Sequence, residues 1–201
     1  MTWIGIIEPN RAEGRLKTLY ERTAGSDGQV DNILQAHSLR PHSLEGHMAL
    51  YKAVLHHAGN ELPRWFLEAI GVFVSRLNGC DYCDHHHSEG MRKLISDDGR
   101  FLSINRALSE TSPSRPFTSA EQSVFRYVRN LTLMPADLDE GSVEGMRQAG
   151  YTDGDILEIN QVAAYFSYAN RTVLGLGVTP DGEVLGLAPS VQDDPDNWSH
   201  Q

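Results

Sequence analysis

The run Asn78-Gly79-Cys80-Asp81-Tyr82-Cys83-Asp84-His85-His86-His87 holds both cysteines of the chain, three positions apart, with a histidine four residues beyond the second. Two thiols at this spacing meet within one helical turn and can form a reversible disulfide. A histidine at i+4 reaches the second thiol and can move its proton. The same three side chains, Cys80, Cys83 and His87, also make a partial zinc ligand set, although a closed structural zinc site takes four ligands. Spacing alone leaves the redox and metal readings both open.

At about 100° per residue, Cys80, Cys83, His87, Met91 and Leu94 share one helix face. His85, His86 and Glu89 fall away from it, so His87 is expected inside and His85 and His86 in solvent. Cys80 lies at or just before the first turn and Cys83 lies within it. Unpaired backbone N–H groups and the positive end of the helix dipole favour a thiolate there. The thiolate is the nucleophile, and an ordinary thiol is mostly protonated at neutral pH.

The elements that must position this run are helical. Residues 12–23 read as a first helix, followed by a Gly/Asp/Ser break over 24–31. A helix opens near Pro41 and runs to about His57, and another runs from Pro63 to Leu77, where Asn78-Gly79 ends it. The cysteine helix spans about 81–95, and a short helix covers 99–109. Thr118-Ser119-Ala120-Glu121 is a capping box for a helix reaching about Leu131. Helices over 139–149 and from Thr152 or Asp153 to about Leu174 complete the set. The best strand signal is a hairpin turn at Thr179-Pro180-Asp181-Gly182. The expected class is all-α, a bundle of roughly seven or eight helices in one domain over 1–201. The N-terminal segment 1–40 and the tail 179–201, with Trp198 as anchor, are expected to pack on the core or on a neighbouring subunit.

Bulk composition narrows the function. The chain has 201 residues, 40% apolar and 22% charged, long enough for a real core. A net charge of −10 repels a phosphate backbone, which argues against nucleic acid as a partner. No stretch is apolar enough to span a membrane, and the N-terminus does not read as a secretory signal. A cytoplasmic protein with redox-active or metal-bound thiols is the expectation.

The pattern Glu68, eleven residues, Cys80, two residues, Cys83, three residues, His87 resembles the active-site signature of the AhpD-like alkylhydroperoxidase family, within the carboxymuconolactone decarboxylase superfamily. The run from Asn78 to His87 is closest to the peroxidase-related branch of that family. The segment Ala164-Tyr165-Phe166-Ser167-Tyr168-Ala169-Asn170-Arg171, followed by Leu176-Gly177-Val178, is similar to the same branch, so the resemblance covers residues 40–180. It implies an all-α AhpD-like bundle that assembles as a homo-oligomer (trimer, hexamer or dimer). It implies a peroxide substrate, an external dithiol or thiol-protein reductant, and neither cofactor nor metal. Carried over by residue, Cys83 is the peroxidatic thiol, Cys80 resolves its sulfenic acid, and His87 and Glu68 relay the proton. Founding members carry histidine where this chain has Tyr82, which removes one candidate base.

Glu68 reads differently from its helix alone. It lies opposite the apolar stripe of Phe66, Leu67, Ile70, Phe73, Val74 and Leu77, which makes it a solvent-exposed residue. Gly71, Val72 and Ser75 on its own face leave room for another helix, and the cysteine helix is the expected neighbour. Packed there, it would bring His87 to Glu68. Of the remaining histidines, His37 and His42 read as subunit contacts or ordinary residues, His47, His56 and His57 carry little weight, and Arg171 reads as a helix C-terminal cation. Tyr165 and Phe166 read as core. The alternatives to a thiol peroxidase are a zinc-binding structural or regulatory protein using Cys80, Cys83 and His87, and a non-catalytic redox sensor.

Overall fold

The computed structural model describes residues 2–25, 28–189 and Trp198. They form nine α-helices and no strand: α1 (Gly14–Thr23), α2 (Asn32–Ala36), α3 (Pro41–Leu55), α4 (Arg64–Leu77), α5 (Asp81–Leu94), α6 (Asp98–Ala107), α7 (Ser119–Leu133), α8 (Glu140–Gln148) and α9 (Asp153–Leu176). Eight of them fall where the sequence places helices. The five-residue α2 lies just beyond the predicted break and carries too little periodicity to announce itself.

Helix starts follow local chemistry. Thr118 and Glu121 close the expected capping box on α7, with the Thr118 N–H donating to Glu121 Oε2 at 2.8 Å. Thr152 and Asp155 do the same for α9, and Asp139 and Ser142 for α8. The hairpin expected at 179–182 is only a turn, closed by Glu183 N–H to Pro180 O at 3.1 Å. The described residues that flank the turn form no strand, because residues 183–186 lie against α5 instead of pairing with another segment.

Helix α4 is the axis of the bundle. It packs against α5, α9, α7 and α3, and every residue from Phe66 to Ser75 is buried. A helix buried on all sides cannot be read from one apolar stripe. Phe66 and Phe73 meet Phe125 of α7 edge-on, at centroid distances of 5.7 and 5.2 Å. Gly71 is needed for close approach to α9, since a Cβ there would overlap the Phe166 ring. The space beside Gly71 is thus filled by α9, whereas the sequence suggested α5.

Described residues near both ends of the chain lie on the body. Trp3 N–H donates to Leu176 O at 2.8 Å, Ile7 N–H to Ser38 Oγ at 2.9 Å, and Tyr20 Oη to Ile7 O at 2.9 Å. Trp198 is buried in the core with the Arg22 guanidinium 4.0 Å above its ring. The rest of the expected tail after Pro189 lies outside the described residues.

Candidate active site

The link between α4 and α5 sets the thiols. Asn78 ends α4, Gly79 takes the left-handed conformation at φ 68°, and Cys80 is the N-cap of α5. Cys80 N–H donates to Ser75 O at 2.8 Å, which ties the cap to the last turn of α4. Arg76 clamps the arrangement by donating through Nε and Nη2 to both oxygens of Asp84, at 2.9 and 3.0 Å. Its Nη1 also donates to Asn105 O of α6 at 2.6 Å.

Both cysteines are free and buried, 1% and 3% exposed, so any reagent must enter a cavity to reach them. They form a coupled pair. The Cys80 thiol is drawn below the ordinary range, chiefly because the Cys83 S–H donates to its sulfur. The Cys83 backbone N–H and the Asn170 amide add to this, although no full capping hydrogen bond forms at Cys80. Cys83 is pushed well above the ordinary range by donating to Cys80 and by burial. Of the two thiols, Cys80 at the helix N-terminus is thus favoured to carry the pair's negative charge, and Cys83 holds its proton more tightly.

Asn170 is the polar partner the sequence reading missed. It is fully buried on α9, where it interrupts the apolar series Ile159, Ala163, Phe166 and Val173. Its Oδ1 accepts from Asn78 Nδ2 at 2.9 Å and its Nδ2 donates to Ser75 Oγ at 3.1 Å. This orients the amide so that its NH₂ faces the thiol pair and favours the thiolate at either sulfur.

Glu68 is buried, 3% exposed, and pairs with His87 Nδ1 at 2.7 Å. Its exposure in the helix-wheel reading fails because α5 and α9 cover the face opposite the apolar stripe. His87 is held edge-on against Phe166 at a centroid distance of 4.5 Å. Cys80, Cys83, His87 and Glu68 are thus brought together at the α4–α5–α9 junction.

His86 departs from expectation. It is 8% exposed rather than in solvent, and its Nε2 pairs with Glu183 Oε2 at 3.2 Å. Tyr82 Oη donates to Glu183 Oε1 at 2.9 Å, and the Asn32 backbone N–H donates to the same carboxylate. The Tyr82 ring lies 4.6 Å from His86, centroid to centroid. Residues 178–189 form a strap that covers this flank of α5, held also by Lys93 Nζ donating to Gly186 O at 2.9 Å. The helix wheel placed His86 outside because it could not include the strap. Only His85 of the three is exposed.

Cys83, His86 and His87 open together on a cavity of about 40 Å³ that is partly open to solvent. Tyr51, Tyr165 and Tyr82 give it aromatic walls. Tyr165 is therefore a wall as well as a core residue. His37 is buried against Ile33 O and Tyr168, and Arg171 is exposed with Nη1 donating to Ser167 O at 2.6 Å. No group of three or more His, Cys, Asp or Glu side chains that could hold a metal ion occurs among the described residues, so the zinc reading gains no support. Among the same residues no helix is long and apolar enough to cross a membrane.

No family model matches the chain, and no curated protein matches it. Solved structures do. An uncharacterized peroxidase-related protein with an alkylhydroperoxidase AhpD core, from Ralstonia eutropha JMP134, superposes with a TM-score of 0.77 at 20% identity, over 90% of this chain and 93% of that one. A peroxidase-related protein from Silicibacter sp. TM1040 gives 0.69 at 24% identity, covering 83% of each chain. The debrominase Bmp8 in complex with 2,3,4-tribromopyrrole gives 0.69 at 16% identity, over 90% of this chain and 95% of that one. The all-helical fold is that of the AhpD-like, peroxidase-related proteins, and enzymes occur among the neighbours.

Proposed function

We propose that the protein is a member of the AhpD-like family and a thiol-dependent peroxidase. The observation that carries this reading is a buried, coupled thiol pair whose Cys83 opens on the same small cavity as the glutamate-paired His87. The Cys83 sulfur attacks one oxygen of ROOH and the O–O bond breaks. Cys83 becomes a sulfenic acid, and the leaving RO⁻ takes a proton. The Cys80 sulfur then attacks Cys83, the departing hydroxide takes a proton and leaves as water, and the Cys80–Cys83 disulfide forms. An external dithiol or thiol protein returns the two electrons by exchange.

Electrostatics set one requirement. Cys83 holds its proton more tightly than Cys80 does, and that proton must leave before attack. It can cross to Cys80 or pass to His87, which Glu68 orients and whose positive charge it offsets. Assembly into a homo-oligomer and a cytoplasmic location belong to the same proposal.

The aromatic walls and the debrominase neighbour favour a second reading, two-electron removal of halide from an aromatic ring by the same thiols. Steady-state turnover separates them. With dithiothreitol as donor, cumene hydroperoxide should be consumed by the wild type and spared by Cys83→Ser. Release of bromide from a bromophenol, with no hydroperoxide consumed, would favour the second reading. A single stoichiometric oxidation without turnover would mark a redox sensor.

A further inference from the structure

Two imidazoles border the cavity at Cys83, each paired behind it with a carboxylate. Glu68–His87 comes from α4 and α5, and Glu183–His86 comes from the strap and α5. His86 and His87 follow Cys83 by three and four residues, so both imidazoles flank the sulfur on one helix turn. The proton taken from Cys83 occupies only one of these pairs. Peroxide cleavage makes a second demand, because an alkoxide is a strong base and leaves slowly unless protonated as the O–O bond breaks.

We propose that His86, positioned by Glu183, is the catalytic acid that protonates the leaving oxygen. The inference rests on the peroxidase reading above. Cys83 loses its proton to the Glu68–His87 side and its sulfur bonds to the near oxygen. The far oxygen departs with the O–O electron pair and takes a proton from His86. The proton held at His87 equals the one lost by His86, and the two re-equilibrate through solvent between turnovers. Other polar groups on the cavity are Asp31, His47, Tyr51, Tyr82 and Tyr165. Tyr82 already donates to Glu183, and both Tyr51 and Tyr165 are buried phenols held far above their ordinary range, poor acids at neutral pH. His86 combines a titratable ring, a carboxylate partner at 3.2 Å and a place one turn from the nucleophile.

The test compares two oxidants that differ in leaving group. Cumene hydroperoxide releases an alkoxide, which needs the acid, whereas peracetic acid releases a carboxylate, which does not. Single-turnover sulfenate formation in His86→Gln should fall about 100-fold with cumene hydroperoxide and less than about 3-fold with peracetic acid. Glu183→Gln, which keeps an oxygen for Tyr82, should change the same ratio in the same direction and serves if His86→Gln does not fold. Equal slowing with both oxidants, or no slowing with either, would overturn the proposal. A wild-type protein inert to both would overturn the peroxidase reading itself, which keeps the two failures distinguishable.

Discussion

Glu68→Gln is the perturbation that most sharply probes the relay. The substitution keeps volume and a hydrogen-bonding oxygen beside His87 but removes the negative charge. When His87 takes a proton, the imidazolium faces the Glu68 carboxylate across the 2.7 Å contact. With about 4 Å between charge centres and an effective dielectric of about 20, Coulomb's law gives about 4 kcal/mol. The His87 side chain is 15% exposed, so solvent screens part of this. Some 3–4 kcal/mol of lost stabilisation corresponds to a drop of about 10²–10³ in rate. The assay is stopped-flow, single-turnover sulfenate formation with cumene hydroperoxide, on protein whose helical circular dichroism matches the wild type. A folded Glu68→Gln reacting within about 3-fold of wild type would show that the carboxylate takes no part in moving the thiol proton.

Absorbance of the thiolate, followed against pH, should show two separate steps, one thiol per chain ionising more readily than an ordinary thiol and the second far less readily. Cys80→Ser removes the strongest cause of the upward shift, so Cys83 in that variant should ionise at lower pH than the second wild-type step. The same variant should attack one hydroperoxide and stall as a sulfenic acid, trapped by dimedone; a second turnover would sink the resolving role of Cys80. Tyr51, Tyr82 and Tyr165 are raised well above 10 and Tyr20 and Tyr151 to about 12, all mainly by burial. Folded pKa values above unfolded ones mean stability that is intact below about pH 10 and lost as pH climbs toward the folded values. Urea midpoints should therefore stay level up to about pH 10 and fall beyond it, and a flat profile to pH 12 would contradict the burial. Gly71→Ala forces a Cβ into the Phe166 ring and should cost about 1–3 kcal/mol, read as a melting temperature lower by several degrees.

Local signals carried far in this chain. Local cues, among them the Thr118–Glu121 capping box, Pro41, Pro63, the Asn78-Gly79 stop and apolar spacing, place eight of the nine helices of the described residues, because each is a short-range feature. The thiol pair and His87 were legible for the same reason: their relation is fixed within one helix. Glu68 was not legible from its own helix, since α4 is wrapped on every side and a buried carboxylate there mimics an exposed one in a wheel. Asn170 left a trace, one amide on an otherwise apolar stripe, which signals a buried partner for polar groups elsewhere. Glu183 left none. It lies about a hundred residues from His86, and only the path of the strap brings the two together.

The central claim is that Cys80 and Cys83 act as one two-electron couple toward peroxide. It is tested most directly by counting free thiols, with intact mass, before and after one equivalent of cumene hydroperoxide on metal-free protein. The account predicts loss of both thiols, a mass lower by two hydrogens, and full recovery with dithiothreitol. Two thiols that persist while the hydroperoxide remains unconsumed would contradict it.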